Sequence, residues 1–277
     1  MLPKPNDGFA WVQAAAGPAL VCRELQPLAN HLFTTRAWTI GAASEDQQAG
    51  GWVEVARAMR VEPRQLVRVR QVHGAAVAVE RRGLAHDPDR RREADVIVSD
   101  DPSLALAIQT ADCVPLLVAD RRTGAVAAVH AGWRGLATRV PQIAVTTLAR
   151  EFGSRPADLV AAIGPSIAAC CYEVGVDVRE AFARGGFAEA GLRRWCLASP
   201  QTTDGNPSMP GLPHAPRANH WFFDSWAATR QQLEEAGIPP RQIHVAELCT
   251  ASHPGTLCSY RRDGLGSGRI AGAIRAR

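Results

Sequence analysis

Thr110-Ala-Asp-Cys-Val-Pro-Leu-Leu-Val-Ala-Asp-Arg-Arg-Thr-Gly-Ala-Val-Ala-Ala-Val-His-Ala-Gly-Trp-Arg134 reads as a β-hairpin. Val114–Ala119 and Ala125–Val129 are apolar runs, and Asp120–Gly124 between them has turn chemistry. A loop over Asp120–Thr123 pairs Ala119 with Gly124 and sets Cys113 opposite His130, with β-carbons roughly 4.5–5.5 Å apart. A loop over Arg121–Gly124 makes the two residues diagonal neighbours. In either register they share one face, because strand side chains alternate. Pro115 removes a ladder donor beside Cys113, which suggests an edge or a bulge there. Gly132-Trp-Arg-Gly135 is an unusual corner with which to leave a plain hairpin.

A thiol and an imidazole on one face allow two chemistries, a metal site and a Cys-His nucleophile pair. A buried cysteine beside a strand-end histidine with a backbone partner is the plainer alternative. A metal needs a third ligand. His73 is the best candidate, since it follows the strand-like Leu66–Val72 and precedes Gly74. Two histidines and one cysteine leave zinc's fourth position open, the pattern of catalytic sites, and water there becomes acidic near neutral pH.

Outward from the hairpin, the sequence predicts a helix over residues 50–60 with Trp52, Val55 and Met59 on one face. Strands are expected at Ala75–Val79, from Ala94, at Leu104–Gln109, Leu159–Ile163, Ile243–Leu248 and Ile270–Ile274. Helices are expected over Arg139–Phe152, from Val176, and over Phe223–Ala236, where Asp224 suits the positive end of the helix dipole. Glu80–Glu93 reads as a solvated loop and Pro200–Asn219, rich in Pro and Gly, as a long one. Helices and strands do not alternate steadily, and neither a repeat nor a linker is visible. The expectation is one α+β domain over residues 1–277, with mixed, largely hairpin-built sheets flanked by helices.

The 277 residues carry a net charge of +4, and Lys4 is the only lysine. No stripe of arginines interleaved with aromatics appears, so no nucleic-acid partner is expected. No apolar run approaches the roughly 18 residues of a membrane span. Seven cysteines, two of them adjacent at Cys170-Cys171, suggest reduced thiols and a cytoplasmic setting. Cys249, His253 and Cys258 have metal-like spacing but no matching second pair. Gly164-Pro-Ser166 lacks the final glycine of a nucleophile elbow, and Gly264-Leu-Gly266-Ser-Gly268-Arg269 is not a dinucleotide fingerprint. No His-x-His pairs suit coupled copper centres.

Arg70-Gln-Val-His73-Gly74, Thr110-Ala-Asp-Cys113, His130-Ala-Gly-Trp-Arg-Gly135, Ile163-Gly-Pro-Ser166, Ser259-Tyr-Arg-Arg262 and Gly268-Arg269 together carry a resemblance. They resemble the polyphenol oxidase/laccase-domain family, also described as purine nucleoside phosphorylases and, for some members, as peptidoglycan editing factors. The resemblance runs from about residue 30 onward. It implies zinc held by His73, Cys113 and His130, phosphorolysis of adenosine, inosine and methylthioadenosine, and adenosine deamination; copper-dependent phenol oxidation is also attached to the family. Partners are then a nucleoside and phosphate, for a monomer or small homo-oligomer. Phosphorolysis needs an arginine for the anion, with Arg36 and Arg134 as candidates. Catalysis falls to Cys113, His130 and Asp112. Asp112 acts as an acid/base or as partner of an imidazole, unless it is only a turn residue. The alternatives are a metal-free Cys-His hydrolase or amidase editing peptidoglycan precursors, a copper polyphenol oxidase, and a binding module with a structural metal. The chain departs from the family at Ala37–Asp46, which replaces a Gly-Gly-Val-Ser run and a Ser-Leu-Asn-Leu motif near the substrate, and at Leu257-Cys258, where members carry two phenylalanines.

Overall fold

The computed structural model describes the chain except residues 42–44 and 213–214, with no side-chain description for residues 42–48. Part of the divergent segment 37–46 therefore lies outside the described residues. In chain order the strands are β1 (Phe9–Ala14), β2 (Gly17–Cys22), β3 (Ala29–Thr34), β4 (Leu66–Arg68), β5 (Val77–Glu80), β6 (Val96–Ser99), β7 (Ala105–Thr110), β8 (Val114–Asp120), β9 (Val126–Ala131), β10 (Leu159–Ile163), β11 (Glu173–Gly175), β12 (Cys196–Leu197), β13 (His220–Phe223), β14 (Ile243–Val245) and β15 (Ile270–Ala276). The helices are α1 (Glu45–Ala58), α2 (Trp133–Ala137), α3 (Val140–Phe152), α4 (Val176–Arg184), α5 (Glu189–Trp195), α6 (Ser225–Glu235) and α7 (Tyr260–Asp263).

Two six-stranded mixed sheets form the centre, in the orders β1-β2-β3-β15-β7-β4 and β14-β10-β8-β9-β6-β5. Hairpin pairing makes β1-β2, β2-β3 and β8-β9. The pairs β4-β7, β5-β6 and β10-β14 are parallel. A small sheet, β11-β13-β12, stands apart.

Period-two alternation explains the layering. In β15, Ile270 and Ile274 face the second sheet, whereas Ala271 and Ala273 face α1. In the hairpin, Leu117, Ala119, Val126 and Ala128 face the first sheet, whereas Leu116, Val118, Ala127 and Val129 join α3 and α6. Both sheets are thus covered on both sides, in a helix–sheet–sheet–helix stack, and their central strands are mostly apolar. Trp52, Val55 and Met59 are buried under the first sheet, and each such side chain stabilises the packing by roughly 1.5–3 kcal/mol. Pro141 sits in the first turn of α3, where a missing N–H costs nothing. Gly153 ends that helix in the left-handed conformation at φ 64°. Asp224 caps α6 by accepting a hydrogen bond from Ala227 N at 2.9 Å, and Phe223, expected inside that helix, instead ends β13.

The hairpin turn covers Arg121–Gly124, one residue later than the first-choice register. Pro115 therefore pairs with His130 and Val114 with Ala131. Pro115 is not at an edge, because β8 lies between β9 and β10. It sits just beyond Leu116, the last residue that pairs with β10, so its missing N–H breaks nothing in that ladder. The predicted strand over Leu66–Val72 stops at Arg68, and His73 lies in a turn.

Candidate metal centre

Cys113 precedes β8 by one residue and His130 lies near the end of β9. With Pro115 opposite His130, the two are diagonal neighbours on the face toward the first sheet. His73 reaches them from the turn after β4. One ligand atom each of His73, Cys113 and His130 lies within 4.8 Å of the others. The two imidazoles meet edge to face with centroids 4.8 Å apart. His130 is buried, Cys113 half-buried and His73 exposed, so the cluster opens to one side.

Asp95, one residue before β6, holds this arrangement and was not singled out from the sequence. Its fully buried carboxylate lies 2.7 Å from His130 Nδ1 and accepts the main-chain N–H groups of His73 at 3.0 Å, Gly74 at 2.7 Å and Val72 at 3.3 Å. Its carbonyl accepts His130 N at 2.8 Å. One carboxylate thus binds one histidine by its ring and the other by its backbone. His73 has φ 60°, in the left-handed region, which costs a non-glycine residue energy. The three N–H bonds to a charged acceptor offset that cost. With Nδ1 turned to Asp95, His130 presents Nε2 to the cluster, the orientation found around ligating histidines.

Burial alone would raise the Cys113 thiol, but the charge on His130 and hydrogen bonds from both histidines outweigh it and bring its pKa down to about 6. Burial likewise opposes the charged form of His130, yet the Cys113 thiolate and Asp95 raise its pKa to about 9. A deprotonated sulfur is the form that ligates metal or attacks carbon.

The donors open into a cleft of about 570 Å³ whose lining includes Asp112, Trp133, Arg134, Tyr172, Arg261 and Arg269. That volume suits a small-molecule ligand. Arg134 lies in the first turn of α2 and stacks on Trp133 with its guanidinium carbon 4.2 Å from the ring centroid. Arg36 does not line the cleft; its guanidinium donates to the carbonyl of Pro254. Arg261, absent from the expected set, lines the cleft with its guanidinium 5.1 Å from the Tyr172 ring. Among the described residues Asp112 partners no imidazole. Its oxygens accept Thr250 Oγ1 at 2.6 Å and Arg261 N at 2.6 Å, and burial raises its carboxyl above the usual value. Asp112 also has φ 88°, a second strained residue beside the donors. Ser166 accepts the Trp226 indole N–H at 2.7 Å, a packing role.

Gly132 gives a direct probe of the space between the donors. A β-carbon there would lie 2.9 Å from Cys113 Sγ and 3.2 Å from the His73 ring. Its backbone, at φ −73° and ψ 167°, accepts any residue. Gly132→Ala is expected to leave the melting temperature within a few degrees of wild type while lowering metal affinity at least ~10-fold, since the ligands must part. Metal titration beside thermal unfolding checks this. Unchanged affinity would mean that the cluster does not bind as a unit.

The family model described as "Multi-copper polyphenol oxidoreductase laccase" matches residues 42–277. A purine nucleoside phosphorylase of Bacteroides thetaiotaomicron is 38% identical over 180 residues, 65% of this chain and 60% of that protein. "Adenosine deaminase RL5", from an unknown prokaryotic organism, is 34% identical over 209 residues, 74% of this chain and 72% of that protein. The crystal structure of the hypothetical protein YfiH of Bacillus licheniformis superposes with a TM-score of 0.81 at 25% identity, covering 98% of this chain and 100% of that one. With the family model spanning most of the sequence and the fold shared end to end, the chain belongs to the multi-copper polyphenol oxidoreductase laccase family.

Proposed function

We propose that the protein is a zinc-dependent purine nucleoside phosphorylase that also deaminates adenosine. The observation that carries this reading is the convergence of His73, Cys113 and His130 at the floor of a cleft bordered by Arg134 and Arg261. The names of the relatives, phosphorylase and deaminase, agree with it. Two imidazoles and a thiolate fit zinc with one position left open. They also fit copper, for which the same three donors are a known set. Bound there, the ion supplies Lewis-acid chemistry, polarising water or a substrate oxygen.

The chain's own groups do the rest. Asp95 holds His130 with Nε2 toward the site. Trp133 and Tyr172 offer aromatic faces to a purine. Arg134 offers a planar fork to phosphate oxygens, and Arg261 adds a second positive charge. In phosphorolysis the bond from sugar to base breaks and a phosphate oxygen bonds to the sugar carbon. In deamination water adds to the amino-bearing carbon and ammonia leaves. Only the first reaction needs the anion.

Arg134→Lys is therefore expected to raise the phosphate concentration needed for adenine release at least ~10-fold, since lysine cannot copy the bidentate fork, while inosine formation falls less. The assay follows adenine and inosine from adenosine with and without phosphate, beside elemental analysis of the pure protein. Equal loss of both activities would remove the phosphate role. Close to one zinc per chain supports the zinc reading, copper with phenol oxidation the oxidase reading. A second reading rests on the Cys113–His130 pair itself: a thiolate beside an imidazolium is also the resting state of a cysteine hydrolase.

A further inference from the structure

Behind the cleft lies a second group of ligating side chains. Cys170 and Cys171, in the turn after β10, meet Cys249 from the segment after β14, and the three sulfurs lie within 4.8 Å of one another. The Cys170 and Cys171 sulfurs are 3.5 Å apart. Three thiolates around one ion at roughly 2.3 Å stand about 4 Å from each other, so the spacing is that of a shared ion. All three residues are fully buried, packed with Ile167, Ala168 and Ala251.

Two of the sulfurs accept main-chain N–H groups, and Cys171 Sγ also lies 3.7 Å from the Pro207 carbonyl. Met209 N donates to Cys171 Sγ at 3.2 Å and Ala168 N to Cys249 Sγ at 3.4 Å. Ser252 Oγ, which donates its proton to Pro207 O at 2.6 Å, lies 3.5 and 3.6 Å from the sulfurs of Cys170 and Cys171 and closes that side of the cluster. Main-chain N–H groups aimed at sulfur are the outer contacts that stabilise ligating thiolates. The long loop brings Pro207, Ser208 and Met209 over the cluster, tied down by Ser208 Oγ to Cys170 O at 2.7 Å. His253 turns to Asn206 at 3.3 Å.

We propose that Cys170, Cys171 and Cys249 form a second, closed site for a soft monovalent cation, cuprous copper, in three-sulfur coordination. Soft thiolates select this ion, and its acceptance of three ligands suits a site of three sulfurs, whereas structural zinc takes four. Each sulfur that ligates releases its proton to solvent, and no oxidation is involved. The site reaches the cleft covalently. Cys171 adjoins Tyr172, and Cys249 adjoins Thr250, which bonds Asp112 at 2.6 Å.

Cys113→Ala, which removes the sulfur of the first site and leaves this one untouched, is the protein to test. Titrated anaerobically with cuprous ion against a competing chelator, it is expected to take up close to one equivalent. Copper X-ray absorption should show a first shell of three sulfurs and no nitrogen. Adding Cys170→Ala and Cys249→Ala should abolish uptake. No uptake by Cys113→Ala, a shell containing nitrogen or only two sulfurs, or tighter binding of zinc than of cuprous ion would each overturn the proposal. None of these readouts depends on nucleoside turnover, so the proposed activity and this site fail separately.

Discussion

His73→Ala is expected to lose bound metal and nucleoside turnover together. His73 supplies one of three donors, and removing a ligand costs more than the roughly 10–100-fold in affinity that an outer-shell partner is worth. At the metal concentrations of a purified protein the site empties, and turnover should follow occupancy down. The fold should survive, because His73 is exposed in a turn and belongs to none of the apolar cores. The same substitution separates the two readings of the site. A Cys113–His130 pair without metal has no need of the His73 ring and would retain most of its rate. Elemental analysis and turnover measured on one preparation decide the matter. Retained activity with no metal would establish the cysteine-hydrolase reading, and retained metal would show that His73 is not a ligand.

The second large effect is expected at Asp95. In Asp95→Ala, three main-chain N–H groups and the His130 ring lose their common acceptor. Each buried donor left unpaired costs ~1–3 kcal/mol, and water reaches some of those at the exposed turn, so the total is about 3–5 kcal/mol. For a chain of this size that lowers the melting temperature by roughly 6–20 °C. Burial works against the Asp95 carboxylate, but the His130 ring and the N–H groups of Gly74 and Val72 outweigh it and hold its pKa below the usual 3.8. The stability so contributed is present above the unfolded pKa and is lost as pH falls through the lowered folded one. The gap between wild type and Asp95→Ala should therefore narrow in acid. Asp95→Asn keeps the shape and one acceptor oxygen, so it should melt closer to wild type yet hold metal ~10-fold or more weakly. Calorimetry from neutral pH into acid, with metal titrations, checks each part. An Asp95→Ala protein that melts within two degrees of wild type and binds metal normally would leave the carboxylate without the positioning role assigned here.

The face shared by Cys113 and His130 was legible because both lie in one local hairpin, where alternation alone assigns sides. The shift of one residue in the turn did not matter, since it moved the pair from opposite to diagonal without changing face. α3 and β10 were legible for the same local reason, having strong periodicity and clear stops at Gly153 and Gly164. Asp95 was not, although it stands 35 residues from His130. A lone acid before the apolar Val96–Val98 reads as a strand-entry residue until the strand beside it is known. Arg261 and Tyr172 reach the cleft from segments whose adjacency rests on long-range pairing. The meeting of Cys249 with Cys170-Cys171 left no trace in spacing, because 77 residues, including the long loop, separate Cys249 from Cys171.

β15 pairs with β3 on one side and β7 on the other, with Ala273 beside both Leu32 and Ala107. The middle of the first sheet is therefore closed by its last-translated strand. Until that strand leaves the ribosome, β3 and β7 each present a row of unsatisfied main-chain groups, a template for pairing with another nascent chain. The contact also spans most of the sequence, so its loop-closure entropy must be overcome before the pairing repays it. Folding should thus be slow to commit, with the first sheet assembled only once β15 has been made. A polypeptide interrupted before residue 270 would remain open at its centre, exposed to aggregation and proteolysis, even with every donor of the cleft already made.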